Sequence, residues 1–282
     1  MKLTARGQTL SLATPQVMGI LNVTPDSFSD GGTHNTPAKA LEHARKMIAE
    51  GATIIDIGGE STRPGAAEVS PEQEAERVVP VVAAIARESD VWISVDTSKA
   101  LVIREAANAG AHILNDIRSF SEPGALQAAA QSGLPVCVMH MQGEPRTMQQ
   151  APHYQNVVRE VYAYLEEQVA RCTAAGIEKN HIILDPGFGF GKTLAHNYQL
   201  LDKLDVFHNL GLPVLAGMSR KSMIGQLMDI PPDERVAGSV ACAVIAAMKG
   251  AQIIRVHDVK ETVQAMKVVE ATRLAKETND NE

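Results

Sequence analysis

Polar residues interrupt this sequence at regular places, each at the end of a short apolar run. Eight runs end on side chains that can bind a small molecule: Asn22, Asp56, Asp96, Asn115 with Asp116, His140, Asp185, Ser219, and Arg255 with His257. A carboxylate can accept two parallel N–H bonds, and an amide both donates and accepts. Asp96, Asn115 and Asp185 therefore suit a flat heterocycle with a guanidine-like edge.

Cationic residues form a second group near the ends of these runs. Arg255 and His257 lie two residues apart, so they face the same way in a strand. Lys221 follows the seventh run, and Arg63 lies in the loop after the second. The whole chain has a net charge of −7, so a local group of cations indicates a site for phosphate and carboxylate groups. The negative charge also argues against nonspecific binding to nucleic acid.

Metal binding stays open from the spacing alone. Asn22 beside a diphosphate would suit Mg²⁺, which takes oxygen ligands and keeps several waters. A hydrogen bond that orders the loop would explain Asn22 equally well. His140 and His257 could bind zinc, but the sequence has neither HxH nor HExxH spacing.

The segment Gly187–Thr193 resembles a phosphate-binding P-loop. The motif needs four residues between its glycines, whereas three separate Gly187 from Gly191. We therefore expect these glycines to let a ligand ring approach the backbone, with Phe190 as a packing surface.

The elements that carry these residues alternate in a regular way. Nearly continuous apolar runs predict parallel strands buried on both faces, at Val17–Val23, Thr53–Gly58, Val91–Thr97, His112–Ile117, Val136–His140, His181–Asp185, Val214–Met218 and Gln252–His257. Apolar residues at helical spacing predict helices between them, at Ala38–Glu50, Glu72–Glu88, Ala100–Ala109, Ala125–Ser132, Asn156–Ala175, Asn197–Asn209, Glu234–Lys249 and Val259–Ala275. Glycines that suit a left-handed helix stop follow many of them: Gly51, Gly110, Gly133, Gly176, Gly211 and Gly250.

Eight strand–helix units predict an α/β protein with a (β/α)8 TIM-barrel fold and one domain over residues 1–282. A doubly wound open sheet is the alternative, but the GxGxxG turn that often follows its first strand is absent. In a barrel, the carboxyl ends of all strands face one mouth, where the loops 24–35, 59–71 and 141–152 would also lie. Glycines in the first two loops predict that both are mobile without ligand.

The remaining composition indicates a cytoplasmic protein. No apolar run is long enough to span a membrane, and the N-terminus lacks the layout of a signal peptide. Cys137, Cys172 and Cys242 are odd in number and lack CxxC spacing, so we expect buried free thiols.

A set of motifs along the chain resembles those of the dihydropteroate synthases, in the same order and over essentially the whole chain. The motifs are Met18–Asp30, Ile55–Gly65, Ser94–Thr97, Asn115–Asp116, Asp185–Gly189, Ser219–Ser222 and Arg255–His257. The resemblance is close to the enzymes of enteric bacteria. It implies a folate-pathway transferase that joins 6-hydroxymethyl-7,8-dihydropterin diphosphate to p-aminobenzoate and is the target of sulfonamide drugs.

The resemblance also implies a role for individual residues. The pterin would be bound by Asp96, Asn115, Asp185 and Lys221, with Met139 and Phe190 lining the pocket. The diphosphate would be bound by Asn22, Arg255 and His257 with a Mg²⁺ ion, for which Asn22 is the predicted ligand. The p-aminobenzoate site would contain Thr62, Arg63, Pro64, Lys221 and Ser222. Because an aryl amine is a weak nucleophile, we expect an SN1-like displacement in which the leaving group does much of the work. Its predicted catalytic residues are Asp96, Lys221, Arg255 and His257.

The family is typically homodimeric, and the helix over Val236–Met248 is small or apolar on every face. We expect the barrel to cover one side of this helix and a second subunit to cover the other. The rival functions are a corrinoid-dependent methyltransferase with the same pterin-binding barrel, a non-catalytic pterin carrier and a metal hydrolase. The sequence does not decide whether Asp56 touches ligand or supports Arg255.

Overall fold

The computed structural model describes residues 1–25, 36–62 and 66–279. Its strands are β1 (Lys2–Ala5), β2 (Gln8–Ser11), β3 (Gln16–Asn22), β4 (Ile54–Gly58), β5 (Trp92–Asp96), β6 (Ile113–Asp116), β7 (Val136–Met139), β8 (Ile182–Asp185), β9 (Leu215–Ala216) and β10 (Ile253–Val256). Its α-helices are α1 (Thr36–Ala49), α2 (Pro71–Glu88), α3 (Ala100–Ala109), α4 (Ala125–Ser132), α5 (Val157–Ala174), α6 (Leu194–Asp202), α7 (Ser222–Met228), α8 (Val236–Met248) and α9 (Val259–Asn279).

Strands β3 to β10 form a closed parallel barrel. Their order is β8-β7-β6-β5-β4-β3-β10-β9, and each neighbouring pair is parallel. A parallel bridge between Leu184 on β8 and Val214, just before β9, closes the ring. Helices follow each strand of the barrel, so the predicted (β/α)8 fold is confirmed.

Local signals in the sequence set the ends of the helices. Ser70 caps α2 with a capping box, in which its hydroxyl accepts from the Gln73 N–H and the Gln73 side chain accepts from the Ser70 N–H. Every glycine predicted as a helix stop has a positive φ: Gly51, Gly110, Gly133, Gly176, Gly211 and Gly250. These glycines confirm the predicted punctuation between helices and strands.

An N-terminal hairpin, β1–β2, was not predicted. Its turn contains Arg6 and Gly7, both with positive φ (53° and 76°), as expected for a tight hairpin. Leu3 is fully buried, and the Thr4 hydroxyl lies 3.2 Å from His181 Nε2, just before β8. The hairpin thus packs against the amino end of the barrel, opposite the mouth. Its strands are only four residues long, which is too short for a clear alternating pattern.

Two further differences concern the second half of the barrel. The predicted helix over 197–209 is divided into α6 and a 3₁₀ segment, Leu204–Leu210. The short helix α7 was not predicted, because seven residues hold too few turns to show helical periodicity. Strand β9 pairs over only Leu215–Ala216, within the longer predicted strand.

Helix α8 is covered on one side only in the single chain. Cys242, Ala246 and Ala247 are buried, whereas Ile245 and Met248 are 43% and 53% exposed. The barrel therefore buries the expected side, and the other side is open. Cys137, Cys172 and Cys242 are free and buried, as predicted. Within the described residues, no helix has the length and apolar character to cross a membrane.

Candidate active site

The polar ends of the barrel strands meet at one rim. Asn22 on β3 stands opposite Gly58 on β4. Gly58 in turn stands opposite Asp96 on β5, and Asp96 stands opposite Asn115 on β6. A Cβ atom at Gly58 would lie 3.7 Å from Asp96 Oδ2 and 3.9 Å from Asn22 Oδ1. The glycine thus leaves room for Asn22 and Asp96 to lie side by side at the mouth.

Arg255 on β10 links the carboxylates of this rim. Its Nε donates to Asp56 Oδ2 at 2.7 Å, and its Nη2 donates to Asp96 Oδ2 at 3.4 Å. The Asn115 amide also donates to Asp56 Oδ2, at 3.3 Å. Asp56 is 1% exposed. Its role is therefore to orient Arg255 and Asn115 from below, a question that the sequence had left open.

Burial shifts the pKa values of two ionisable groups at the rim toward neutral pH. The pKa of Asp96 is raised to about 8, first by burial and then by the Asp56 carboxylate, while Arg255 opposes the shift. The pKa of Lys221 is lowered to about 8 by burial, which Asp185 opposes. Binding or release of a ligand at the site can therefore change the charge of either group.

Asp185 and Lys221 lie on the other side of the mouth with a glycine-rich loop between them. Asp185 Oδ1 accepts from the Gly187 N–H at 2.8 Å. Lys221 Nζ donates to Phe188 O at 2.7 Å and lies 5.0 Å from the centre of the Phe190 ring. The loop and Lys221 thus form one wall of the site, with an aromatic ring beside an ammonium group.

His257 is held in one neutral form by Ser219. The Ser219 hydroxyl accepts from the His257 backbone N–H at 3.1 Å, and its oxygen lies 2.9 Å from His257 Nδ1. A hydroxyl has one proton and two lone pairs, so Ser219 can donate to Nδ1 while it accepts from the backbone, and the proton of the ring then lies on Nε2. Burial and then Arg255 lower the pKa of His257 to about 4. The neutral ring can therefore donate an N–H to a bound anion.

A salt bridge ties the loop after β9 to the loop after β10. Arg220 has a positive φ of 56°, and its guanidinium donates to both Asp258 oxygens, at 2.5 and 3.0 Å. The pair directs the Arg220 side chain away from Lys221, the next residue. The sequence did not predict this contact, because nothing in either segment reveals that the two loops are neighbours.

The other predicted residues fall into three groups. Met139 is buried at the end of β7, paired with Asp185 across the sheet. Ser222 begins α7 directly after Lys221, and Thr62 is half-buried in the loop after β4. Arg63 and Pro64 lie outside the described residues, as do parts of the loops 24–35 and 59–71 that were predicted to be mobile.

The donors at the rim fit Mg²⁺ better than zinc. Among the described residues no group of three or more His, Cys, Asp or Glu side chains is arranged to hold a metal ion. His140 Nδ1 lies 3.0 Å from Lys192 Nζ, and His257 Nδ1 is bonded to Ser219. Asn22 offers an amide oxygen at the mouth, which suits a cation that takes most of its ligands from substrate and water.

The fold and the rim are those of a barrel enzyme whose carboxylates, amide and cations meet at one mouth. The family model described as pterin binding enzyme matches residues 18–257, a span that includes the whole rim. The dihydropteroate synthase of Escherichia coli K12 is 69% identical over 277 residues, 98% of each chain. That of Haemophilus influenzae is 58% identical, over 96% of this chain and 99% of its own.

Solved structures agree with these relatives. The Yersinia pestis dihydropteroate synthase with a sulfonamide drug has a TM-score of 0.93 and 67% identity, covering 97% of this chain and 99% of its own. The Xanthomonas albilineans dihydropteroate synthase in complex with 7,8-dihydropteroate has a TM-score of 0.89 and 46% identity, over 97% and 99%. The chain belongs to the dihydropteroate synthase family of pterin-binding enzymes.

Proposed function

We propose that this chain is a transferase that condenses 6-hydroxymethyl-7,8-dihydropterin diphosphate with p-aminobenzoate, giving 7,8-dihydropteroate and diphosphate. One observation carries the proposal: acceptors for a fused ring and cations for its leaving anion meet at one rim. The acceptors are on Asp96, Asn115 and Asp185, and the cations are Lys221 and Arg255. Two structures of the Xanthomonas albilineans relative support the substrate class, since they contain 4-aminobenzoic acid and 7,8-dihydropteroate.

The pterin side of the site would hold the ring by its polar edge. Asp185 and Asn115 provide acceptors for the N–H groups of that edge, and Asp96 provides a carboxylate near the ring. Phe190 and Met139 provide apolar surface, and Lys221 provides a donor. A flat ring bound on one edge would present its methylene carbon toward the cationic part of the rim.

The diphosphate side would stabilise the leaving group. Arg255 is fixed by Asp56, and neutral His257 can donate from Nε2, so both groups are oriented before charge develops. Mg²⁺, when bound, would neutralise part of the charge on the diphosphate, and Asn22 would be the side chain that holds it. The carbon–oxygen bond would break ahead of carbon–nitrogen bond formation, and the Asp96 carboxylate would stabilise the cationic methylene. The amine then loses a proton to solvent.

The second substrate would bind at the mouth of the barrel, near Lys221 and Ser222. Thr62, Arg63 and Pro64 complete this proposed p-aminobenzoate site.

We also propose that the chain forms a homodimer through the open face of α8 and that it is located in the cytoplasm.

The test is an assay for diphosphate release from the pterin diphosphate. We expect release that depends on both p-aminobenzoate and a divalent cation, with one dihydropteroate formed for each diphosphate. Release without p-aminobenzoate would instead indicate a hydrolase. Tight pterin binding without release would indicate a carrier, and methyl transfer from methyltetrahydrofolate to a corrinoid would indicate the methyltransferase.

The metal proposal is tested by Asn22→Ala. We expect the Mg²⁺ concentration for half-maximal rate to rise, while the affinity for the pterin ring without diphosphate stays at the wild-type value. Calorimetry with 6-hydroxymethyl-7,8-dihydropterin provides the second measurement. An unchanged Mg²⁺ requirement would remove Asn22 from the metal site.

A secondary isotope effect at the methylene carbon tests the order of bond changes. A dissociative displacement widens the geometry at that carbon in the transition state, so a normal effect is expected. A value near unity would contradict the SN1-like path.

A further inference from the structure

Lys192 is a buried cation that the proposed mechanism does not use. It is 3% exposed, although lysine is almost never fully buried unless it is paired. It follows directly after the segment Gly187–Gly191, the wall of the site that carries Phe190. In the sequence this lysine belonged to the segment that resembles a P-loop, but its side chain turns back under its own loop.

The ammonium group of Lys192 has a partner for each of its three N–H donors. Nζ donates to Gly187 O at 2.7 Å and to Phe190 O at 3.0 Å, and it lies 3.0 Å from His140 Nδ1. When Lys192 is protonated it cannot accept, so His140 Nδ1 is then the acceptor and the proton of the ring lies on Nε2. Burial and then Lys192 lower the pKa of His140 to about 3, in agreement with a neutral ring.

The surroundings of Lys192 act on its pKa in opposite directions. Burial lowers the pKa of Lys192 well below its ordinary value, the nearby Asp185 carboxylate opposes that shift, and Lys221 adds to it. Two carbonyls and a ring nitrogen at hydrogen-bond distance stabilise the charged form further. The amine of Lys192 thus lies beneath the proposed pterin site and donates to the loop that carries it.

The loop above Lys192 needs outside donors to keep its shape. Gly187, Gly189 and Gly191 have φ values of +73°, +81° and +67°, which prevent a regular ladder of backbone bonds, although the Phe190 N–H donates to Gly187 O at 3.1 Å. A Cβ atom at Gly187 would lie 1.8 Å from His140 O, and one at Gly191 would lie 2.3 Å from Gln142 O. The loop is therefore pressed against the end of β7 in a conformation that only glycine allows at these positions.

Side-chain donors form hydrogen bonds with individual carbonyl oxygens of this loop. Lys221 Nζ binds Phe188 O at 2.7 Å, and the Tyr154 hydroxyl donates to Gly191 O at 2.6 Å. The Gln149 amide donates to Gly189 O. Lys192 binds two of the carbonyls, those of Gly187 and Phe190, and so reinforces the backbone bond from the Phe190 N–H to Gly187 O that closes the turn.

We infer that Lys192 is a positioning residue for the pterin site, because its side chain holds the loop Gly187–Gly191 in place from below. One end of the turn supplies the Gly187 N–H that orients Asp185, and the other supplies the Phe190 ring beside Lys221. Loss of the Lys192 donors would loosen both ends at once, because the backbone bond from the Phe190 N–H to Gly187 O would be left to hold the turn without them. The inference rests on the proposed function for the identity of the ligand.

The test compares Lys192→Met with the wild type. Methionine keeps most of the length of the side chain but has no N–H donor. We expect the KM and the calorimetric Kd for 6-hydroxymethyl-7,8-dihydropterin diphosphate to rise at least about tenfold, which is ~1.4 kcal/mol. The KM for p-aminobenzoate should stay near the wild-type value. Lys192→Gln keeps two donors and should lie between Lys192→Met and the wild type.

Lys249→Met is the matched control. Lys249 Nζ also donates to a backbone carbonyl, Asp202 O at 2.5 Å, but it follows α8 at the amino end of the barrel. This variant should keep wild-type constants for both substrates. If it instead weakens pterin binding as much as Lys192→Met, the effect is general destabilisation and the inference fails.

Three results would overturn the inference. The first is a folded Lys192→Met variant with wild-type pterin affinity. The second is an equal rise in the KM of both substrates. The third is a His140 ring in the wild type that carries its proton on Nδ1, as measured by ¹⁵N NMR. If Lys192→Met does not fold, the same comparison with Lys192→Gln decides.

These measurements separate the inference from the proposed function. Pterin affinity by calorimetry and the tautomer of His140 do not require turnover. A wild type that binds the pterin diphosphate but makes no dihydropteroate would refute the proposed function, and the affinity of the variants would still decide the role of Lys192.

Discussion

At the scale of single residues, the site depends on two ionisable groups whose pKa values burial has shifted toward neutral pH. Asp96 would be protonated below pH 8 and would become a carboxylate as the pH rises, because its pKa is raised to about 8. Lys221 would lose its proton above the same pH, because its pKa is lowered to about 8. The form with Asp96 ionised and Lys221 protonated is therefore most populated near pH 8.

This arrangement predicts a narrow bell-shaped profile of kcat/KM for the pterin diphosphate, with its maximum near pH 8. The acid limb reports Asp96 and the alkaline limb reports Lys221, since kcat/KM follows the ionisation of the free enzyme. Lys221→Arg, which stays charged, should flatten the alkaline limb and leave the acid limb in place. A profile that is flat from pH 6 to pH 9 would contradict both assignments.

At the scale of elements, a buried ion network fixes the loop after β4 to the helices around it. Lys99, at the start of α3, binds Glu74 of α2 at 2.5 Å and Glu60 at 2.8 Å. Glu60 also accepts from the Val69 N–H at 3.3 Å, so it holds the far end of the same loop. Glu74 is 1% exposed, and Lys99 is therefore its essential counter-charge.

Removal of this counter-charge predicts a large loss of stability. Lys99→Met should lower the free energy of unfolding by roughly 3–5 kcal/mol, because it leaves the Glu74 carboxylate buried without a partner. Urea denaturation followed by circular dichroism gives this value. The control is Lys46→Met, which removes the exposed pair with Glu50 and should cost less than about 1 kcal/mol.

The double variant Lys99→Met/Glu74→Gln sharpens the test. It removes the buried charge together with its partner, so it should recover much of the stability that Lys99→Met loses. If the double variant is as unstable as the single variant, the loss comes from packing and not from charge.

At the scale of the whole molecule, the open face of α8 leaves apolar surface in solvent. The exposed residues Ala237, Ala241, Ile245 and Met248 recur at helical spacing along one side. On α7, Leu227 and Met228 are also exposed, and Met228 Cε would lie 2.4 Å from a Cβ atom at Gly238 on α8. The two helices therefore form one continuous apolar surface, of the kind found at interaction sites.

The proposed homodimer predicts how this surface responds to a charge. Ile245→Asp should convert a dimer into a monomer in sedimentation at micromolar concentration, because a carboxylate buried without a partner is unfavourable. Asn108→Asp, which adds the same charge on α3 across the barrel, should remain dimeric. A wild type that sediments as a monomer would refute the dimer itself.

The sequence by itself determined the order of the eight barrel strands and the polar residues at their ends. Continuous apolar runs, helical spacing and glycine stops are local properties, and each is set by the chemistry of a few neighbouring residues. The parallel arrangement then places every strand end at one rim, which is why Asp96, Asn115, Asp185 and Arg255 could be predicted together.

Only the tertiary structure decided which of these residues touch. Asp56 and Arg255 are 199 residues apart in the chain, and their contact depends on how strands β4 and β10 lie in the closed barrel. Lys192 could be taken for a phosphate ligand from its motif, and only the path of the loop turns it beneath the site. Such contacts depend on register and on the packing of distant segments, which no local pattern specifies.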